Sequence, residues 1–265
     1  MDPRAYRRRI GLEPPAAAAA RGPAAAARAP RVGRVRFERL PGAGAPCGGG
    51  EGEGAARDPP RLYEKIVRRE RGGYCYELNG LFGWLLDDLG YDVAYVAARM
   101  LQDDGTPGHP ANHLANVLTL DGERYLVDVG LGTPTLRQPL PLDGRVVTDD
   151  AGVAWTVVES DRPDADGLTR YRCPNTWEWT DRYLFTTTSR DLDYFAATND
   201  HLSTAPESPF TGSPVVARAT DRGHLKLTGN RFTQWVDGES TEQPVSGAEA
   251  WYDRLRSTFG IDYRQ

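Results

Sequence analysis

Apolar residues change their period along this chain, and each change marks an element. Leu78, Leu81, Phe82, Leu85, Leu86 and Leu89 recur at i, i+3, i+4, i+7, i+8 and i+11. That is the stripe of a core helix, and Gly90 stands where a helix C-terminus favours glycine. The spacing predicts a helix over residues 76–89. Before it, Leu62, Ile66 and Val67 make a shorter helical stripe that Arg71, Gly72 and Gly73 interrupt. After Gly90 the period falls to two. Tyr91 to Met100 reads as a strand, and His113 to Leu120 with Glu123 to Val129 reads as a hairpin closed by Asp121 and Gly122. Shorter runs at 146–147, 154–159 and 183–188 extend the strand pattern into a sheet or barrel, and a last helix is expected around Ala248 to Thr258.

The first 60 residues carry little such pattern. Ala16 to Ala20, Ala24 to Ala27 and Gly48 to Gly50 give low complexity with few large apolar side chains. Alanine favours helix, but an alanine helix buries little surface. The expectation is a thinly packed helical region of low stability. An Arg-rich, Ala-rich start also has the composition of a transit peptide, though it lacks serine and an amphipathic stripe.

Length and charge narrow the class. A chain of 265 residues holds one large domain or two to three small ones. No apolar run approaches the roughly 18 residues that cross a bilayer. The net charge of -5 conceals an asymmetry: residues 1–75 carry 16 Lys or Arg against 8 Asp or Glu, and the remainder 16 against 29. An acidic body argues against nucleic acid as the main partner. The cysteines, Cys47, Cys75 and Cys173, form no CxxC pair. Neither a disulfide framework nor a zinc finger follows, and a reducing cytoplasm is the simplest compartment.

Candidate chemistry centres on Cys75. It follows two glycines and opens the helix, where backbone N–H groups and the helix dipole favour a thiolate. A small buried core cysteine is the plain alternative. The hairpin adds weight through its register. With a two-residue loop at Asp121 and Gly122, Ala115 faces Asp128 and His113 faces Gly130. His113 and Asp128 then share one face as diagonal neighbours, roughly 7 to 8 Å apart along the backbone. A carboxylate fixes one imidazole tautomer and leaves the other ring nitrogen free to take a thiol proton. Cysteine, histidine and aspartate in that order make a nucleophilic triad. A metal site is not expected, because Pro110 lies between His109 and His113 and no HExxH is present. His201 and His224 have no evident partner in the sequence.

Around these residues, RERGGYCYELNGLFGWLL (69–86), NHLANVLTLDGERYLVDVGLG (112–132) and RQPLPL (137–142) resemble the signatures of arylamine N-acetyltransferases. AYRRRIGL (5–12) is similar to the family's opening helix, which favours reading the N-terminus as part of the domain. HLSTAPESPFTGSPVVA (201–217) is similar to a family segment rich in Ser, Pro and Phe. The resemblance implies an α+β fold with a helical bundle (1–89), a central antiparallel β-barrel (90–190) and a small α/β lid (191–265). It implies that Cys75 takes the acetyl group from acetyl-CoA, that His113 activates it and that Asp128 orients the histidine. It further implies a Glu38–Arg71 ion pair and an acetyl-CoA cleft lined by Gly130, Leu131, Gly132 and Thr133. A small aromatic amine or hydrazine would be the acceptor, with no metal. The first 60 residues depart from the family, with alanine where leucines are usual.

Two other functions fit the same triad. A transglutaminase- or papain-like hydrolase uses the order Cys, His, Asp, and a non-catalytic relative would merely bind a ligand. The wording GGYCYELNG and VDVGLG favours the acetyltransferase. The acceptor amine and the oligomeric state are not legible.

Overall fold

The computed structural model describes residues 1–11, 36–40 and 58–263. The low-complexity stretches at 16–20, 24–27 and 48–50, on which the expectation of thin packing rests, and Cys47 lie outside the described residues. Helix α1 (Pro3–Ile10) starts on Asp2, whose carboxylate accepts the Arg4 N–H at 2.8 Å, and stops at Gly11 with φ +77°. Strand β1 (Phe37–Arg39) follows. Helix α2 (Pro59–Tyr63) runs directly into one wider π-type turn over Glu64–Arg68.

Helix α3 (Cys75–Asp88) is the predicted core helix, beginning one residue early. Leu78, Leu81, Phe82, Leu85 and Leu86 are buried against Tyr6, Ile10, Leu62 and Ile66. Burial of side chains this size is worth about 1.5–3 kcal/mol each, enough to dock α1 and α2 on α3. Leu89 departs from the stripe. It caps the helix and is 37% exposed, because Gly90 at φ +80° turns the chain away.

Eight strands build the larger sheet: β2 (Asp92–Met100), β3 (His113–Leu120), β4 (Glu123–Val127), β5 (Leu140–Pro141), β6 (Val147–Thr148), β7 (Ala154–Glu159), β8 (Gly167–Arg172) and β9 (Thr180–Arg190). Their order is β5-β4-β3-β2-β9-β8-β7-β6, every pair is antiparallel, and β5 returns against β7 so that the sheet nearly closes into a barrel. Val96, Ala115, Leu126, Trp155, Tyr183 and Phe185 fill it. The β3–β4 register pairs Asn116 with Val127 and Leu120 with Glu123, as the two-residue loop dictates. Asp121 and Gly122 both take positive φ, +53° and +82°.

Helix α4 (Ala196–Thr204) leads to strands β10 (Val215–Thr220), β11 (Gly223–Leu227), β12 (Arg231–Val236) and β13 (Glu239–Pro244), and then to α5 (Ala248–Phe259). These four strands form a second antiparallel sheet whose edge is completed by β1. Val216, Leu227, Phe232, Trp251, Leu255 and Phe259 pack between this sheet and α5. Among the described residues no helix is long and apolar enough to cross a membrane.

Candidate active site

Cys75 is the first residue of α3 and is 2% exposed. The turn before it is held by charge. Glu38 accepts from Arg71 Nε and from the Gly72 N–H, both at 2.9 Å, and Arg71 Nη2 lies 2.6 Å from the same carboxylate. The Glu38–Arg71 pair implied by the resemblance is present. Gly72 is needed for this approach, since a Cβ there would sit 2.2 Å from the Arg36 carbonyl oxygen. A second pair went unnoticed in the sequence. Lys65 Nζ meets both oxygens of Glu77 at 2.7 and 2.8 Å, and Glu77 in turn accepts the Tyr74 N–H at 3.2 Å. Burial raises the Glu77 pKa, against the opposing pull of Lys65. The two pairs fasten both sides of the loop that ends at Cys75.

His113 opens β3, and Asp128 follows the last residue of β4. His113 Nε2 and Asp128 Oδ2 are 2.6 Å apart and both residues are buried. Cys75 also lies within electrostatic reach of the imidazole. Burial works against a charged ring, but Asp128 and Cys75 outweigh it and push the His113 pKa up to about 10. Burial likewise opposes ionisation of Asp128, yet His113, the Asn79 amide and the Gly130 N–H hold its pKa below the usual carboxylate range. The structure therefore brings Cys75, His113 and Asp128 together.

Asn79 is the main residue that sequence reasoning missed. One turn along α3 from Cys75, it donates to Asp128 Oδ1 at 2.8 Å and to the Leu114 carbonyl at 2.6 Å, and accepts from the Val129 N–H at 2.8 Å. It ties the helix to both hairpin arms. Its place in a helix otherwise apolar on that side was the available signal. Tyr183 was also missed as a site residue; its ring lies 5.1 Å from that of His113.

The four residues expected to line a cleft fall into two groups. A Cβ on Gly130 would lie 2.5 Å from Cys75 Cα, so Gly130 is packed on the helix start. Leu131 is 2% exposed and its side chain belongs to the barrel core. Gly132 and Thr133 are partly exposed, and nothing lies within 4 Å of where Gly132 would carry a Cβ. The histidines without evident partners prove to have ring contacts. His201 lies 5.0 Å from His109, and His224 stacks on Trp235 at 5.4 Å, its pKa lowered to about 4 by burial and by Arg137 and Lys226. Among the described residues no group of three or more His, Cys, Asp or Glu side chains is placed to hold a metal ion.

Fold and site thus define a cysteine-centred α+β protein in which helix and barrel meet at a thiol, an imidazole and a carboxylate. The sequence pattern of the N-acetyltransferase family matches residues 52–265. The arylamine N-acetyltransferase of Mycolicibacterium smegmatis is 34% identical over 214 residues, covering 76% of this chain and 73% of that protein. Its namesake structure from M. smegmatis superposes with a TM-score of 0.83 at 30% identity, covering 99% of this chain and 93% of the other. The Bacillus cereus enzyme, described as having a Cys-His-Glu catalytic triad, gives a TM-score of 0.83 at 25% identity over 98% of both chains. A Mycobacterium marinum arylamine N-acetyltransferase in complex with CoA gives 0.79 at 28% identity, covering 98% of this chain and 93% of the other. The chain belongs to the arylamine N-acetyltransferase family and is an acyltransferase.

Proposed function

We propose that the protein moves an acetyl group from acetyl-CoA to the nitrogen of an arylamine or arylhydrazine through an acetyl-Cys75 intermediate. The observation that carries this reading is the buried line from Cys75 through His113 to Asp128, with its 2.6 Å imidazole–carboxylate contact. Cys75 passes its proton to His113 and attacks the thioester carbonyl. The carbon–sulfur bond of acetyl-CoA breaks, and CoA leaves as the thiol, taking the proton from His113. The amine then attacks the acetyl-cysteine carbonyl, His113 accepts the amine proton, and the Cys75 sulfur departs as thiolate. Asp128 holds the ring in one tautomer and stabilises its charged form.

Gly132 and Thr133 form the face of their segment toward acetyl-CoA, while Gly130 and Leu131 anchor it from behind. In this reading the helices within 1–89 supply the thiol, the barrel within 90–190 supplies the imidazole and carboxylate, and 191–265 covers the site. A free thiol at Cys75 is required, consistent with a reducing, cytoplasmic compartment.

Incubation with acetyl-CoA followed by intact mass tests the intermediate. A gain of about 42 Da mapped to Cys75, with parallel double-reciprocal lines in steady state, is expected of a two-step transfer. An unmodified thiol together with amide cleavage would instead point to a hydrolase built on the same three groups.

A further inference from the structure

Two histidines outside the triad are brought side by side by the fold. His109 stands on the loop between β2 and β3, and His201 lies in the middle of α4. Their ring centroids are 5.0 Å apart. His109 is exposed and His201 half-buried, so a small ion reaches both from solvent. Each ring is carried by well-held backbone. Pro110 narrows the backbone choices of His109, the Gly108 N–H donates to the Met100 carbonyl at 2.8 Å, and the Asn112 N–H donates to the His109 carbonyl at 3.2 Å. On the other side, the Tyr74 hydroxyl donates to Asn199 and Leu202 is buried, which holds α4 to the core before and after His201. The two segments also touch directly, since the Thr198 hydroxyl donates to the Pro110 carbonyl at 3.1 Å.

This separation is the one that a shared metal ion requires. Metal–nitrogen bonds of about 2.0–2.1 Å at a near-tetrahedral angle leave the centroids of two bound imidazoles about 5 Å apart. The rings are inclined by 74°, and an imidazole turns about its outer side-chain bond with its centroid nearly fixed, so that one nitrogen of each ring can be aimed at a common point. Among the described residues no third His, Cys, Asp or Glu joins the pair as a metal ligand. Two imidazoles without an added carboxylate or thiolate select a borderline divalent ion such as Zn²⁺, Ni²⁺ or Cu²⁺ over Mg²⁺ or Ca²⁺.

We propose that His109 and His201 form a surface site for a divalent transition-metal ion, Zn²⁺ being its representative, with water completing the coordination shell. The ion clamps α4 to the loop that leads into His113. Asn199 accepts from the Tyr74 hydroxyl, and the Ala111 carbonyl accepts from the Tyr76 hydroxyl at 2.6 Å, so the clamp joins segments that hold the residues on both sides of Cys75. The site uses none of Cys75, His113 and Asp128, and it stands or falls separately from the acetyl-transfer reading.

Calorimetric titration of Zn²⁺ into the untagged full-length Cys75→Ala protein tests the site with the catalytic thiol removed. One ion per chain is expected at this site. His109→Gln and His201→Gln should each weaken its binding at least tenfold, and the double variant should lose little more than either, because the ion needs both rings. At a hundredfold excess over its Kd, Zn²⁺ should raise the Tm by about 5 °C. That rise should vanish in His109→Gln, an exposed position where the substitution leaves the metal-free melt nearly unchanged. Undiminished binding in His109→Gln would overturn the proposal, as would a loss confined to His201→Gln. Absence of binding, or binding that requires Cys75, would equally refute it, the latter by placing the ion at the catalytic thiol.

Discussion

The packing of Gly130 on Cys75 gives a prediction with an internal control two residues away. In Gly130→Ala the new Cβ would stand 2.5 Å from Cys75 Cα and 3.0 Å from the Cys75 carbonyl oxygen, both backbone atoms that no rotamer change can move. Ordinary contact begins near 3.4 Å, so the hairpin end and the helix start must separate by about 1 Å. Overpacking of this kind costs about 1–3 kcal/mol. Because Asp128 and Cys75 sit on opposite sides of the contact, the separation also pulls the carboxylate–imidazole pair from the thiol. A displacement near 1 Å lowers catalysis on the order of 10²-fold.

In Gly132→Ala the Cβ meets nothing within 4 Å, so stability should stay within about 0.5 kcal/mol of wild type. Urea unfolding measures the first quantity, and the rate of Cys75 acetylation by acetyl-CoA in single turnover measures the second. Equal stability and equal acetylation rates in the two variants would refute the close approach on which the site geometry depends.

Other expected outcomes follow from the same contacts. Cys75→Ala should abolish acetyl transfer, while Cys173→Ala, at a half-buried sulfur in the segment after β8, should leave it nearly intact; the reverse result in a CoA-release assay would identify the wrong sulfur. Lys65→Met leaves the fully buried Glu77 without its cation, and denaturant unfolding should show a loss of about 3–5 kcal/mol, reduced in the double variant with Glu77→Gln. The His113–Asp128 pair sets a pH window. Because the His113 pKa is raised to about 10, its stabilising contribution is complete below about pH 6.5 and is lost as pH rises toward 10. Because the Asp128 pKa is lowered, its contribution is present above about pH 4 and is lost on further acidification. The difference in melting temperature between wild type and His113→Gln should therefore be largest between about pH 4 and 6.5, and a difference independent of pH would contradict the paired geometry.

Local signals in the sequence were enough for α3, for the β3–β4 hairpin and for three residues of the site. The reason is that each is fixed by its neighbours along the chain. The leucine spacing can bury only one helical face, and Asp121 with Gly122 sets the register observed from Leu120–Glu123 to Asn116–Val127; the ladder ends there, short of the expected Val129, and Asp128 meets His113 just beyond it. Cys75 was legible because two glycines and a helix start are themselves local. The resemblance added the Glu38–Arg71 pair, whose partners lie 33 residues apart and carry no periodic signal.

The strands beyond β9 were not readable. Strands β12 and β13 are rich in polar residues, β13 is exposed along its length, and α4 has too little apolar contrast to show a stripe. The pairing of β1 with β10 joins residues 37–39 to 215–217, a closure that only the assembled core can stabilise. Asn79, Lys65 and Glu77 were likewise invisible as site residues. Each is an ordinary polar side chain until burial removes water, and burial is a property of the whole fold.

By itself, then, the sequence determined which segments are helix and strand around the site and which face of the hairpin carries imidazole and carboxylate, because short-range sterics and periodicity decide those. Only the tertiary structure decided that α3 meets the barrel at Gly130, that Asn79 bridges them, and that Lys65 and Glu77 pair beneath the loop that ends at Cys75. Those features depend on contacts between segments far apart in the chain, where desolvation turns a polar side chain into a strong and specific interaction.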